Sequence, residues 1–235
     1  MTKMMNGCRF TFGAVAFFGL LFAGPSFAQD AEIGAFDGLV KVEGAKVDLA
    51  SIDPDADFSV YKRVYIAEPW VAFVKNWKRT QNSSRYGAGN RVSDRDMEKI
   101  KADVATLFKE VFTEKLVEDG KLTITDEAGE DVLFIRPAII DLDVTAPDIM
   151  TPGRSRTYTT SAGAATLYIE LYDSVSGAII GRAADRRTAR NSSHRMTWSS
   201  KITNQQEARR MFSIWAERLA AFLEDHFTAS PEAEE

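Results

Sequence analysis

The stretch ATLYIELYDSVSGAIIGRAADRRT, residues 165–188, predicts a β-hairpin. Every second residue of its first half is apolar: Ala165, Leu167, Ile169 and Leu171. Strict alternation of this kind is typical of a half-buried strand. Residues 174–177 end in glycine and turn the chain, and residues 178–187 return as the partner strand. One face of the hairpin is therefore expected to meet a hydrophobic core.

Two long amphipathic helices are predicted to cover this sheet. After Ser93, apolar residues recur every three or four positions: Met97, Ile100, Val104, Leu107, Phe108, Val111, Phe112 and Leu116. Ser93 followed by Asp96 resembles a capping box with aspartate in place of glutamate, and this helix is expected to end near Asp119 and Gly120. Asn204 with Glu207 forms a second capping-box candidate, before the apolar stripe that closes the chain.

Further strands are predicted at 61–67, at 70–74 past Pro69, at 122–125 and at 132–144, with a kink or bulge at Pro137. Residues 29–57 are predicted to form an extended lead-in, 58–227 the folded domain, and 228–235 an acidic disordered tail. The order of elements indicates an α+β fold, with a single domain and a mostly antiparallel sheet. Both long helices are expected to pack on one face of that sheet.

The first 28 residues read as a signal peptide. Lys3 and Arg9 precede an apolar run at 10–23, and Ser26 and Ala28 supply the small residues that signal peptidase prefers. Cleavage is expected after Ala28, and the run is too short to span a bilayer. Cys8 precedes the run, where a lipid-acceptor cysteine cannot stand. The sequence therefore predicts a periplasmic protein that is not transmembrane after cleavage.

Composition narrows the function further. The chain has 235 residues, of which 45% are hydrophobic and 27% charged, as in ordinary globular proteins. Cleavage after Ala28 would remove two basic residues and no acidic ones, leaving 27 basic against 34 acidic residues and a net charge of −7. No nucleic-acid partner is expected at this charge. No cysteine would remain for thiol chemistry.

Residues 75–91 are predicted to form a long basic surface loop that could bind a ligand. The candidate binding residues in this loop are Trp77, Arg79, Arg85 and Tyr86. Such a mixture of aromatic and basic residues stacks on sugars and other planar groups. The alternative is a solvated loop without a ligand. Trp70, Trp198 and Trp215 are expected to be packing residues instead.

Residues 182–210 carry an excess of six positive charges. Arg190 and Arg195 lie in a polar connection and are candidate binding residues for an anionic surface. Alternatively, the arginines pair inside the fold, with Glu170 or with the acidic stretch 114–131, and Arg186 is expected to do so.

No catalytic, cofactor or metal site is predicted. The two histidines, His194 and His226, stand in no recognisable nucleophile setting, although His194 with Asp185 could serve a hydrolase. Asp141 and Asp143 could offer two carboxylates to a cation, but their alternation equally fits a half-wetted strand.

Several segments together resemble one family. They are YKRVYIAEPW at 61–70, the long helix after the basic loop, DSVSGAIIGRAADRRTA at 173–189 and FSIWAERLAAFLED at 212–225. They are similar to the bacterial domain-of-unknown-function family 3313 (DUF3313). The resemblance implies an envelope location and an α+β fold, and it supplies no catalytic residues. Members are commonly lipoproteins, whereas here Ala28, Gln29 and Asp30 stand where a lipid-modified cysteine would be.

The sequence thus indicates a non-enzymatic envelope protein, an interaction or accessory module whose sheet and loops dock another envelope component. That component could be a protein, a glycan or an anionic lipid surface, and the oligomeric state is left open. A periplasmic glycan or small-ligand binder using loop 75–91 is the first alternative, and a hydrolase is the second.

Overall fold

A computed structural model of the chain describes residues 38–83, 91–118, 122–144, 158–159, 163–188, 197–198 and 201–227. The helices are Trp77–Ser83 (α1), Asp94–Glu118 (α2) and Lys201–Phe227 (α3). The strands before α2 are Val40–Lys41 (β1), Leu49–Ile52 (β2), Arg63–Ile66 (β3) and Trp70–Phe73 (β4). The later strands are Thr123–Ile124 (β5), Val132–Asp143 (β6), Tyr158–Thr159 (β7), Ala164–Asp173 (β8), Ile179–Thr188 (β9) and Thr197–Trp198 (β10).

Eight of these strands form one sheet in the order β1-β2-β9-β8-β6-β3-β5, with β4 also paired to β6. The strands from β1 to β6 along this order pair antiparallel, while β6 pairs parallel with β3 and β4, and β3 pairs parallel with β5. The short strands β7 and β10 pair separately. The predicted hairpin at 165–188 is thus confirmed, and it lies at the centre of the sheet.

The alternation within β8 separates a core face from an outer face. The apolar residues Ala165, Leu167, Ile169 and Leu171 are all buried, in one cluster with the apolar stripes of α2 and α3. Phe108 on α2 stacks on Phe112 of the same helix and meets Phe212 on α3 edge-on. The prediction of a single α+β domain, with a mostly antiparallel sheet and two long helices on one face, is confirmed.

The start of α2 is set by the predicted capping box. The amide of Ser93 donates to the Asp96 carboxylate at 2.8 Å, and the amide of Asp96 donates back to the Ser93 hydroxyl at 3.2 Å. The second candidate is wrong, because α3 already begins at Lys201 and Asn204 lies within its first turn. The second helix thus begins three residues upstream of its expected cap.

Pro137 does not interrupt β6, so the kink expected there is wrong. The amide of Ala67 donates to the Ile135 carbonyl at 2.9 Å, so the backbone groups of Ile135 point towards β3. Pro137 is two residues further along the strand, and its backbone groups therefore point to the same side, where β3 and β4 lie. At this point β6 changes partner, from β3 to β4, which pairs from Ala138. No ladder hydrogen bond is therefore lost at the proline. The irregularity lies instead at Asp141, whose φ is 51°.

The predicted lead-in contributes to the domain. Within 38–57, the strand β2 pairs antiparallel with β9, from Leu49 opposite Ala184 to Ile52 opposite Gly181. The strands β1 and β2 are short, as expected for a segment whose closely spaced glycines exclude a long helix or strand. In the part of the chain described, no helix combines the length and apolar composition needed to cross a bilayer.

Candidate functional site

The tryptophan expected to be exposed in loop 75–91 is buried. Trp77 opens α1 and is 2% exposed, so the prediction of an exposed residue in a long loop is wrong at this position. Its indole donates to the Val144 carbonyl at 2.8 Å and stacks on Phe73 with 4.1 Å between ring centres. Asn82 then exchanges two hydrogen bonds with the backbone of Val92, which ties α1 to the segment before α2. Trp77 therefore offers no exposed stacking platform.

Of the other candidate binding residues, Arg79 lies exposed on α1. Arg85, Tyr86, Arg190 and Arg195 lie outside the described residues, as does His194 of the hydrolase alternative. Their roles stay predictions.

Trp70 has the opposite outcome to Trp77. It was expected to pack in the core, yet it is 64% exposed, so that prediction is wrong. Its register places it opposite Ala138 of β6, which in turn lies opposite Tyr168 of β8. Residues directly opposite one another share a face, so Trp70 and Tyr168 lie on the same side of the sheet. Trp215, in contrast, is buried as predicted.

This side is the face that α2 and α3 leave uncovered, which we call the open sheet face. Its central residues are Tyr65, Trp70, Phe134, Arg136, Tyr168, Glu170, Tyr172, Arg182 and Arg186. Apart from Glu170, each is half-buried or exposed. The face therefore combines five aromatic side chains with three arginines, two of which pair with the carboxylate of Glu170.

Glu170 is the anchor of the open sheet face. Although it is only 6% exposed, both of its oxygens are fully engaged. One oxygen accepts from the Tyr168 hydroxyl at 2.9 Å and lies 3.5 Å from the Arg182 guanidinium. The other accepts from the Tyr172 hydroxyl at 2.9 Å and from two nitrogens of Arg136. A buried carboxylate paired in this way is held in one geometry.

These contacts shift the protonation of the group and its neighbours. Burial raises the pKa of Glu170, but the hydrogen bonds from Tyr172, Tyr168 and Arg136 outweigh it and leave that pKa below its ordinary value. Burial and the bond to Glu170 raise the pKa of Tyr168 to about 12, and the same causes raise the pKa of Tyr172. Near neutral pH the carboxylate is charged and both tyrosines are neutral donors.

The aromatic side chains form a continuous strip beside this anchor. Tyr65 and Phe134 meet edge-on with 5.2 Å between ring centres, and Phe134 lies 6.0 Å from Tyr172. The Arg136 guanidinium lies over the Tyr172 ring at 5.0 Å, a cation–π contact, while its side chain is 57% exposed. Glu170 thus fixes Tyr172 and Arg136 through hydrogen bonds, while the side chain of Arg136 remains accessible to solvent.

Internal pairing accounts for the described arginines of segment 182–210 except Arg210. Arg182 pairs with Glu170, and Arg209 on α3 pairs with Glu110 at 2.7 Å and Glu114 at 3.5 Å. Arg186 approaches Asp141 at 3.9 Å with a side chain that is 50% exposed. Pairing within the fold, one of the two alternatives, is confirmed for these residues.

The residues considered for catalysis and metal binding have other partners. Asp185 is buried on the core face, where one oxygen accepts from the Trp215 indole at 2.8 Å and from Arg187 at 2.7 Å. Asp141 sits at the irregular point of β6. Among the described residues, no group of three or more potential ligands is arranged to hold a metal ion.

The sequence pointed to loops, whereas the structure brings the aromatic and basic residues together on a sheet face. Tyr168, Glu170 and Tyr172 alternate with the core residues of the hairpin, and this alternation is the sequence pattern that could have placed them together on the outer face. Their meeting with Trp70 and Arg136 depends on pairing with β4 and β6, which local pattern does not reveal.

A family model described as a protein of unknown function (DUF3313) matches residues 27–219. No curated protein matches the chain.

Solved structures share low similarity with it. A PelC dodecamer from Paraburkholderia phytofirmans is 12% identical, with a TM-score of 0.35 over 68% of this chain and 89% of that one. A DUF330 protein from Xanthomonas campestris is 12% identical, with a TM-score of 0.34 over 77% of this chain and 92% of that one. A PDZ domain protein from Parabacteroides distasonis is 12% identical, with a TM-score of 0.35 over 72% and 34%. Similarity at this level supports no conclusion about function.

Proposed function

The chain belongs to the DUF3313 family, whose function is unknown, and from this premise we propose a non-enzymatic interaction module of the cell envelope. It docks a protein partner through the open sheet face. The observation that carries this proposal is the exposed Trp70 on the same face as the aromatic strip and Arg136, the face that the long helices leave free.

The composition of the face favours a protein partner. Tryptophan, tyrosine and arginine dominate the binding energy of protein interfaces, because each offers a large contact area together with a polar group. Here the tyrosines and Arg136 are already held by Glu170, so little side-chain entropy is lost on docking. Arg136 is 57% exposed on this face, so we expect the partner to present an acidic residue to it.

Export is the second part of the proposal. Its support is the charged start, the apolar run and the small-residue site that end at Ala28. In the periplasm the open sheet face would meet soluble or membrane-anchored envelope proteins.

Affinity capture from crosslinked envelopes tests the docking surface. We expect Trp70→Ala and Arg136→Ala each to reduce recovery of the partner at least about tenfold, as truncation of an interface hot spot does. Val175→Ala is the matched control, because Val175 is 63% exposed, like Trp70, but lies in the turn between β8 and β9.

Equal recovery with all three variants would exclude the open sheet face. Retention of purified peptidoglycan or anionic vesicles, with no protein lost in the Trp70 variant, would replace the protein partner by a glycan or a lipid surface.

A further inference from the structure

A separate cavity lies on the core side of the sheet, between β2, β8, β9 and α3. Its volume is about 240 Å³. Its apolar wall consists of Leu167, Ile169, Leu171, Trp215, Leu219 and Phe222. It is therefore an apolar chamber at the edge of the hydrophobic core.

Small residues on the sheet create this chamber. Ala183 lies opposite Ile169 and also opposite Ala50 on β2, and Gly181 lies opposite Leu171. These three residues face α3, where large side chains would otherwise fill the gap. The space is thus encoded in the sequence of β2 and β9.

A wider polar cavity of about 750 Å³ adjoins the apolar chamber. Both cavities are lined by Lys46, Asp185 and Arg218, so these residues mark the passage between them. The polar cavity has five basic lining residues: Lys46, Arg186, Arg187, Arg210 and Arg218. It has three acidic ones: Asp48, Asp185 and Glu207. The polar end therefore carries a surplus of positive charge in a protein that is negative overall.

Two of these cations are available to a ligand. Arg187 and Arg218 lie 2.7 and 3.4 Å from Asp185 and neutralise its buried charge. Within the described residues, neither Lys46 nor Arg210 forms an ion pair, and both are exposed. An anion at this point would be attracted by both side chains without displacing an ion-pair partner from the described part of the chain.

We propose that the two cavities together bind a single-chain amphiphilic anion. The apolar tail occupies the chamber beside Trp215 and Leu219, and the headgroup lies near Lys46 and Arg210. A chamber of about 240 Å³ is below the usual size range of small-molecule sites, which starts near 300 Å³, so it accepts one chain and not two. The chamber lies on the opposite side of the sheet from the proposed docking surface, and Arg186 is the one residue named in both the polar cavity and the open sheet face.

Calorimetric titration of the mature protein with dodecanoate tests the proposal. We expect saturable binding of dodecanoate, with much weaker binding of dodecanol, which lacks the charge, and of acetate, which lacks the tail. A dodecanoyl lysophosphatidylglycerol has the same tail on a phosphodiester headgroup. The tighter of the two anionic amphiphiles identifies the headgroup class.

Variants locate the ligand. Lys46→Gln combined with Arg210→Gln should weaken dodecanoate binding about fivefold to tenfold, because two partly exposed charge contacts are lost. Arg209→Gln is the matched control, since Arg209 neighbours Arg210 on α3 but pairs with Glu110 and Glu114. It should leave the affinity within about twofold.

Ala183→Phe should fill the chamber and abolish binding, with the unfolding midpoint showing that the variant is folded. If the Ala183 variant does not fold, the double substitution of the exposed residues Lys46 and Arg210 still tests the proposal. Absence of saturable dodecanoate binding would overturn the proposal. So would equal affinity for dodecanol or acetate, or an equal effect of the Arg209 and Arg210 substitutions.

Discussion

Glu170 shows how one residue can link the packing of this protein to its surface chemistry. It lies on the outer side of the central strand β8, yet two tyrosines and two arginines close around it. Because the carboxylate orients these side chains, it fixes the centre of the open sheet face. A buried charge without partners would destabilise the fold, so the two tyrosines and two arginines that pair with Glu170 are held in place together.

Glu170→Gln tests this role through the pH dependence of stability. The folded-state pKa of Glu170 lies below the unfolded value of about 4.3, so its stabilisation is complete above that value and is lost as the pH falls through the folded pKa. We expect the variant to lose roughly 2–3 kcal/mol of unfolding free energy at pH 7, because charge-assisted hydrogen bonds are broken. Urea denaturation should show the same difference from the wild type at pH 7 and at about pH 5, shrinking only as the pH falls below about 4.

Glu130→Gln, at an exposed turn residue, serves as the control and should change stability by less than about 0.5 kcal/mol at either pH. A difference between the Glu170 variant and the wild type that stays constant as the pH falls from about 7 to about 2 would contradict the assigned charge state.

The tryptophans show where local pattern stops being informative. Trp215 recurs at helical spacing with other apolar residues, and this periodicity correctly predicts burial. Trp77 lies in a basic, polar segment and Trp70 in an apolar one, so composition suggests the wrong exposure for both. Their positions depend on a contact with Val144 and on pairing with β6, both distant in sequence.

At the scale of elements, the helices and the hairpin follow directly from the sequence. The stripe after Ser93 predicts α2 to within one residue at its start, because cap and periodicity agree. The parallel pairing of β6 with β3 and β4 has no local signal, since parallel strands are joined by long connections. Pro137 illustrates this limit, because only the change of strand partner explains why it is tolerated.

The cap of α2 supplies a prediction at this scale. Ser93→Ala removes the hydroxyl that accepts from the Asp96 amide, so we expect a loss of about 1 kcal/mol in unfolding free energy. Ser83→Ala is a suitable control, because the Ser83 hydroxyl donates to the Thr80 carbonyl within α1 and caps no helix start. Chemical denaturation should separate the two variants, and equal midpoints would argue against the capping box.

For the whole molecule, the sheet has two sides with different tasks. The core side is buried by α2 and α3 and leaves one apolar chamber next to α3. The open sheet face carries the aromatic strip and the exposed arginines. The sequence predicts the layer architecture, whereas the residue set of the open sheet face, where we propose docking, emerges only when strands distant along the chain are paired.

Export concerns the whole chain and has a direct test. We expect the intact mass of the protein recovered from the periplasm to correspond to a chain that begins at Gln29, because the small-residue site ends at Ala28. Retention of residues 1–28, or a mass increase matching a lipid, would contradict cleavage without lipidation.

The most direct test of docking is photocrosslinking in the native host, with a photoreactive phenylalanine analogue in place of Trp70. Because Trp70 is exposed beside the aromatic strip, the proposal predicts a discrete protein adduct from this position that disappears when Arg136→Glu is added. The same analogue at Val175, which is equally exposed but lies in a turn, should give no such adduct. Failure to form an adduct at position 70, or the same adducts from both positions, would contradict docking through the open sheet face.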